Sequence, residues 1–180
     1  MENERQERNL QFQDKHDPIY FWLDSVPNWT VYGHLSLKEN LQWSEKERLK
    51  KFHLLIRDAA KRFTGQRDLD GLGWFLREEG NARDKRYHFH FALTDDNLKN
   101  TAPEVVCRYL TKQWAKIGKS VCQIEPWNEV KTAQGIWYLT QIEDYPVKES
   151  NYFSGDTCRW RMSKLLKAKI RKISTERKNP

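Results

Sequence analysis

The stretch "KRYHFHFAL", Lys85 to Leu93, decides how the rest of the chain is read. Its bulky aromatic and aliphatic residues suit a β-strand, in which alternate side chains share a face. His88 and His90 then point to one side, and Phe89 and Phe91 to the other. Just upstream, "GWFLREEG" (Gly73 to Gly80) has the same character, and the polar "NARDK" between the two makes them the arms of a hairpin. Glu78 and Glu79 fall at the end of the first arm, where a carboxylate can reach the histidine pair across the sheet. Two imidazoles and one carboxylate leave coordination positions open for water and substrate oxygens, the arrangement that a catalytic divalent ion requires.

Outward from the hairpin, "WTVYGHLSLK" (Trp29 to Lys38) alternates as a first strand. The following "SEKERLKKFHLLIRDAAKRF" opens with Ser44 and Glu47 in capping-box spacing. It carries Leu49, Phe52, Ile56, Ala59 and Phe63 along one side, so it reads as an amphipathic helix. After the histidines, "TAPEVVCRYLTKQWAKIG" reads as a second helix, with Thr101 and Glu104 as another capping box, Pro103 in the first turn and Gly118 as the stop. "SVCQIEPW" makes a fourth strand and "VKTAQGIWYLTQIED" a third helix. "DYPVKESNYFSGDT" is an irregular connection, and "CRWRMSKLLKAKIRKISTERKNP" a basic amphipathic helix that frays into a charged tail.

The order β-α-β-β-α-β followed by helices predicts an α+β fold: a ferredoxin-like or RRM-like antiparallel sheet with helices on one face and His-x-His on a central strand. The domain organisation expected is a polar leader over 1–28, a catalytic domain over 29–145, and a connection with a basic C-terminal helix over 146–180. With 180 residues the chain suits one domain. Lysine and arginine outnumber acids 32 to 25, giving +7, and 13% of residues are aromatic, a combination that fits a nucleic-acid ligand. Cys107, Cys122 and Cys158 form no C-x-x-C pair, which points to a reducing, intracellular compartment and away from a structural zinc site. The start is too charged for a signal peptide, and no apolar run approaches membrane-spanning length, so no membrane partner is expected. "IGKS" (Ile117 to Ser120) lacks the first glycine of a phosphate loop, which would fall at Gln113.

A nucleophile is sought next. Tyr138 lies inside the third expected helix, with Gln134 one turn before and Gln141 one turn after on roughly the same face. A tyrosine hydroxyl, with a pKa near ~10, needs charge stabilisation to attack a phosphodiester, and a nearby metal ion supplies it.

Glutamate, His-hydrophobe-His on a strand and a tyrosine on a later helix resemble the HUH endonucleases. Among them the chain is most similar to the single-tyrosine replication initiators (Rep proteins) of rolling-circle plasmids and small single-stranded DNA viruses. The resemblance spans about residues 30 to 145, through "EEGN", "HFH" and "CQIEPWNEVKTAQGIWYLTQ". It implies Glu79, the second glutamate, as metal ligand with His88 and His90, Mn²⁺ or Mg²⁺ as the ion, and Tyr138 as the nucleophile that forms a 5′-phosphotyrosine. Reps commonly carry lysine three residues after the tyrosine; here Gln141 stands there, and an amide could ligate the ion or position a water. "YLTK" at Tyr109 to Lys112 has the Tyr-x-x-Lys spelling but precedes the fourth strand, so Tyr138 is preferred.

The expected activity is metal-dependent nicking and joining of single-stranded or hairpin-flanked DNA, as in rolling-circle replication initiation, with a related transposase as the near alternative. Lys85, Arg86, Lys112 and Lys131 are candidates for the DNA backbone. A helicase and a polymerase would be partners, for the sequence holds no helicase. The compartment expected is the cytoplasm of a prokaryote or the nucleus for a eukaryotic virus. The rival reading is a non-catalytic RRM-like RNA binder, in which the aromatics of "KRYHFHF" stack on bases.

Overall fold

The computed structural model describes residues 23–37, 43–80, 87–94, 96–128 and 159–178. Strand β1 (Trp29–Ser36) leads to helix α1 (Glu45–Thr64), then to β2 (Gly73–Glu79) and β3 (His88–Thr94). A 3₁₀ turn at Asp96–Asn100 precedes α2 (Pro103–Ile117) and β4 (Cys122–Pro126), and the described chain closes with β5 (Arg159–Met162) and α3 (Lys164–Lys178). The fold is α+β: one five-stranded antiparallel sheet, in the order β4-β1-β3-β2-β5, with His-x-His on its middle strand.

Helix α1 starts where its capping residues dictate. Ser44 Oγ accepts from the Glu47 backbone N–H, and the Glu47 carboxylate accepts from the Ser44 N–H at 2.7 Å. Gly65, with φ of 76°, ends it in the left-handed conformation that glycine adopts without strain. Helix α2 departs from the expected capping box: its N-cap is Ala102, with no side-chain cap, and Thr101 lies one residue outside. Pro103 explains the shift, because its fixed φ suits the first helical position and forces the preceding residue into an extended conformation.

Both helices pack on one face of the sheet. Val31, Leu35, Phe89, Phe91, Leu93 and Leu76 meet Phe52, Leu55 and Ile56 of α1 and Val106, Leu110 and Trp114 of α2 in one buried core. Gly33 belongs to this face for a steric reason. A Cβ there would stand 2.3 Å from the Phe91 ring, so the ring packs directly on the β1 backbone.

The C-terminal segment corrects the expected reading. Arg159–Met162 is not the first turn of a helix but an edge strand antiparallel to β2, with Phe75 opposite Met162. Ser163 then joins strand to helix, its Oγ accepting from Trp74 N–H and from Leu166 N–H, each at 3.1 Å. Leu166 and Ile170 of α3 pack on Phe75 and Ala92 with Leu23, Val26 and Trp29, a second core that covers one end of the face opposite α1 and α2. No helix among the described residues is long and apolar enough to cross a membrane.

Candidate metal centre

Strand alternation and antiparallel register build the site. β3 turns Phe89, Phe91 and Leu93 toward the helices, and so presents His88, His90 and Ala92 on the other face. β2 pairs Glu79 with His88 and Arg77 with His90, which places these side chains beside the imidazoles. β1 pairs His34 with His90 on the opposite flank.

Glu79, only 3% exposed, sets Oε2 at 3.1 Å from His88 Nε2 and 3.4 Å from His90 Nε2. Two ring nitrogens thus converge on one buried carboxylate oxygen. The other oxygen, Oε1, forms an ion pair with Arg77 Nε at 2.9 Å. Burial alone pushes the Glu79 carboxyl upward; the hydrogen bonds from His88 and then His90, with the charge of Arg77, overcome it and hold the group well below the usual carboxylate range. His90 is driven the other way. Its burial lowers the pKa against the opposing pull of Glu79, so the ring is neutral at pH 7. Its Nδ1 lies 3.3 Å from the Tyr32 hydroxyl, an outer partner that fixes the ring's orientation.

His34 is the residue that the sequence reading did not single out. Its ring centroid lies 4.9 Å from those of both His88 and His90. One nitrogen from each of the three rings lies within 4.8 Å of the others, a group that could hold a metal ion. Burial first, then the charges of His90 and His88, push His34 down to about 4, so it too offers a neutral ring with a lone pair. A signal was present in "VYGHLS": Tyr32, His34 and Ser36 alternate with Val31, Gly33 and Leu35 as the polar side of a strand. A ferredoxin-like order already sets β1 beside β3; what the sequence does not carry is the register that puts His34 opposite His90.

The carboxylate side of the cluster is closed by Arg77 and Glu79, both buried. Toward β4 it is open, where a pocket of about 350 Å³ is lined by Tyr32, His34, His90, Gln123 and Glu125.

Of the expected site residues, the structure brings Glu79, His88 and His90 together. Glu78 turns to the other face, where its carboxylate pairs with Arg48 Nε. Lys112 is exposed on α2, in the layer across the sheet from the imidazoles. Tyr109 is likewise in that layer: its hydroxyl donates to the Asp58 carbonyl at 3.3 Å and its ring packs on Phe63. Lys85, Arg86, Lys131, Gln134, Tyr138 and Gln141, with the expected third helix, lie outside the described residues.

Comparison with protein-family models, with curated proteins and with solved structures finds no match to this chain.

Proposed function

We propose that the chain is a divalent-metal-dependent enzyme of the HUH type that nicks and rejoins single-stranded DNA, with a ferredoxin-like β-α-β-β-α-β core as its scaffold. The observation that carries the reading is the convergence of His88 and His90 on the buried Glu79 carboxylate beside an open pocket. A buried carboxylate flanked by paired imidazoles and strongly shifted in pKa, next to a pocket, supports a functional role.

In this reading His88, His90 and Glu79 hold Mn²⁺ or Mg²⁺. The ion supplies Lewis-acid stabilisation of charge on a phosphodiester. Arg77 fixes the Glu79 carboxylate, and Tyr32 fixes the His90 ring. Tyr138 is the nucleophile: its phenolic oxygen attacks phosphorus, the bond to the 3′-oxygen breaks, and the phenolic proton is passed on as the 3′-hydroxyl forms. The resulting 5′-phosphotyrosine keeps the bond energy, so a second 3′-hydroxyl reverses the step and joins strands without ATP. Gln141 is assigned to the Tyr138 helix face, and Lys85, Arg86, Lys112 and Lys131 to the DNA backbone. Because Lys112 stands on the far layer, its phosphate contact requires DNA that bends round the sheet edge.

The RNA-binder reading finds less support. Phe89 and Phe91, which would stack on bases, are fully buried under the helices, and the other face of β3 carries imidazoles.

Incubation of the full chain with pooled single-stranded oligonucleotides and Mn²⁺, run on a denaturing gel, tests the proposal. Cleavage with a slow-migrating protein–DNA adduct is expected, abolished by EDTA and by Tyr138→Phe. An adduct that persists in Tyr138→Phe moves the nucleophile elsewhere. Cleavage without any adduct makes the protein a hydrolytic nuclease and removes the joining step.

A further inference from the structure

We infer that His34 is a fourth protein donor of this centre, so that three imidazoles from two neighbouring strands and one carboxylate hold a first-row transition ion in preference to Mg²⁺. The inference deepens the metal reading of the proposed function and is independent of whether DNA is the substrate.

Register is the first argument. His34 and His90 are direct cross-strand partners, and His88 lies one step along the same face, so the backbone itself gathers the three rings. Two donors bound at ~2.1 Å to one ion can lie at most about 4.2 Å apart. Nitrogens already within 4.8 Å of one another reach that spacing through small ring rotations.

The second argument is charge and hydrogen-bond supply. The Glu79 carboxylate meets His88 and His90 and also pairs with Arg77. His34 meets its two neighbours ring against ring, at tilted and edge-on angles of 37° and 62°. A cation at the centre of the cluster gives all three lone pairs a common acceptor.

Ligand chemistry then selects the ion. Mg²⁺ favours oxygen donors, keeps several waters and is held by one or two carboxylates, whereas imidazole suits transition metals. Four protein donors leave two positions of an octahedron, enough for two oxygens of one ligand. The open flank is the one lined by Tyr32, Gln123 and Glu125, so a ligand enters from the β4 side.

Calorimetry of the full chain with Mn²⁺, Co²⁺ and Mg²⁺, without DNA, tests the inference, with circular dichroism checking the fold of each variant. Mn²⁺ and Co²⁺ are expected to bind at least tenfold tighter than Mg²⁺. His34→Ala and His34→Asn should each weaken Co²⁺ by no less than the roughly 10–100-fold that loss of an outer partner costs. Equal affinities for Mg²⁺ and Mn²⁺, or a folded His34 variant with wild-type Co²⁺ affinity, overturn it. Pulsed EPR of the Mn²⁺-loaded wild-type chain needs no variant: three coupled imidazole nitrogens are expected, and two overturn the assignment. Absence of any metal binding sinks both this inference and the metal part of the proposed function. Tight, His34-dependent Co²⁺ binding by a chain that cleaves no DNA upholds the centre and removes only the nickase.

Discussion

The two faces of the sheet are built from the same five strands and answer to different physics. Toward α1 and α2, β3 presents Phe89, Phe91 and Leu93 to a continuous apolar core; toward the other side it presents His88 and His90 to a carboxylate, and His90 also to a pocket. Glu78 and Glu79 compress the contrast into adjacent residues. Glu78 is buried against Arg48, whose guanidinium also donates to the Trp43 carbonyl at 2.7 Å and lies 3.6 Å from the Tyr87 ring centroid, so this ion pair ties α1 to the sheet. Glu79 is no more exposed, yet its partners are two imidazoles and an arginine. Burial alone does not separate the two carboxylates; the identity of the partners does.

The largest effect expected from this division is on the apolar face. Phe89→Ala should cost about 4 kcal/mol of unfolding free energy in urea titration, by lost burial and a cavity among Phe52 and its neighbours. His88→Ala should cost far less stability while removing Mn²⁺ binding in calorimetry. A His88 variant as unstable as the Phe89 variant would erase the division of labour between the faces.

The glutamate pair sharpens it. Glu78→Ala leaves the buried Arg48 without its carboxylate and should lower stability by about 3 kcal/mol, with Mn²⁺ affinity retained in the folded protein. Glu79→Ala should instead weaken Mn²⁺ binding at least tenfold. The reverse ranking would mean a register one residue away from that found.

The smallest effect is a pH dependence on the helical face. Burial, then Arg57 and Arg161, lower the pKa of His53 from its ordinary value of 6.5. The unfolded chain therefore takes up the proton first as pH falls. Stability from this group is fully present above pH ~6.5 and is lost on acidification below it. His53→Gln should reduce the drop in Tm between pH 7 and pH 5.5 by a degree or two; an unchanged drop assigns it to other groups.

Local signals in the sequence account for much of this. Period-2 alternation and the polar connection at Asn81–Lys85 were enough for the β2–β3 hairpin, and the resemblance to Rep proteins pointed to the second glutamate, which lies opposite His88. The Ser44–Glu47 capping box started α1 because both halves of that motif are local. What escaped depends on neighbours distant in sequence. His34 becomes a candidate ligand only when the register of β1 against β3 is known, which sets it opposite His90. β5 is four residues long, too short for alternation to stand out ahead of a strongly helical run, and it is a strand because β2 offers it an edge. The Thr101 cap was overruled by the stiffer Pro103.

The hydroxyl of Ser163 holds a Trp74 amide of β2 and the first turn of α3 at once. Strand β2, which carries Glu79 at its end, is therefore an inner strand by courtesy of the segment that Ser163 anchors. Cut before Arg159, the chain would leave β2 with a row of unsatisfied backbone groups and Phe75 stripped of Leu166 and Ile170, a ready template for strand-to-strand association. Residues 159–178 thus guard the carboxylate strand against self-pairing, so the covering of that strand's open side and the seating of α3 rest on the same serine.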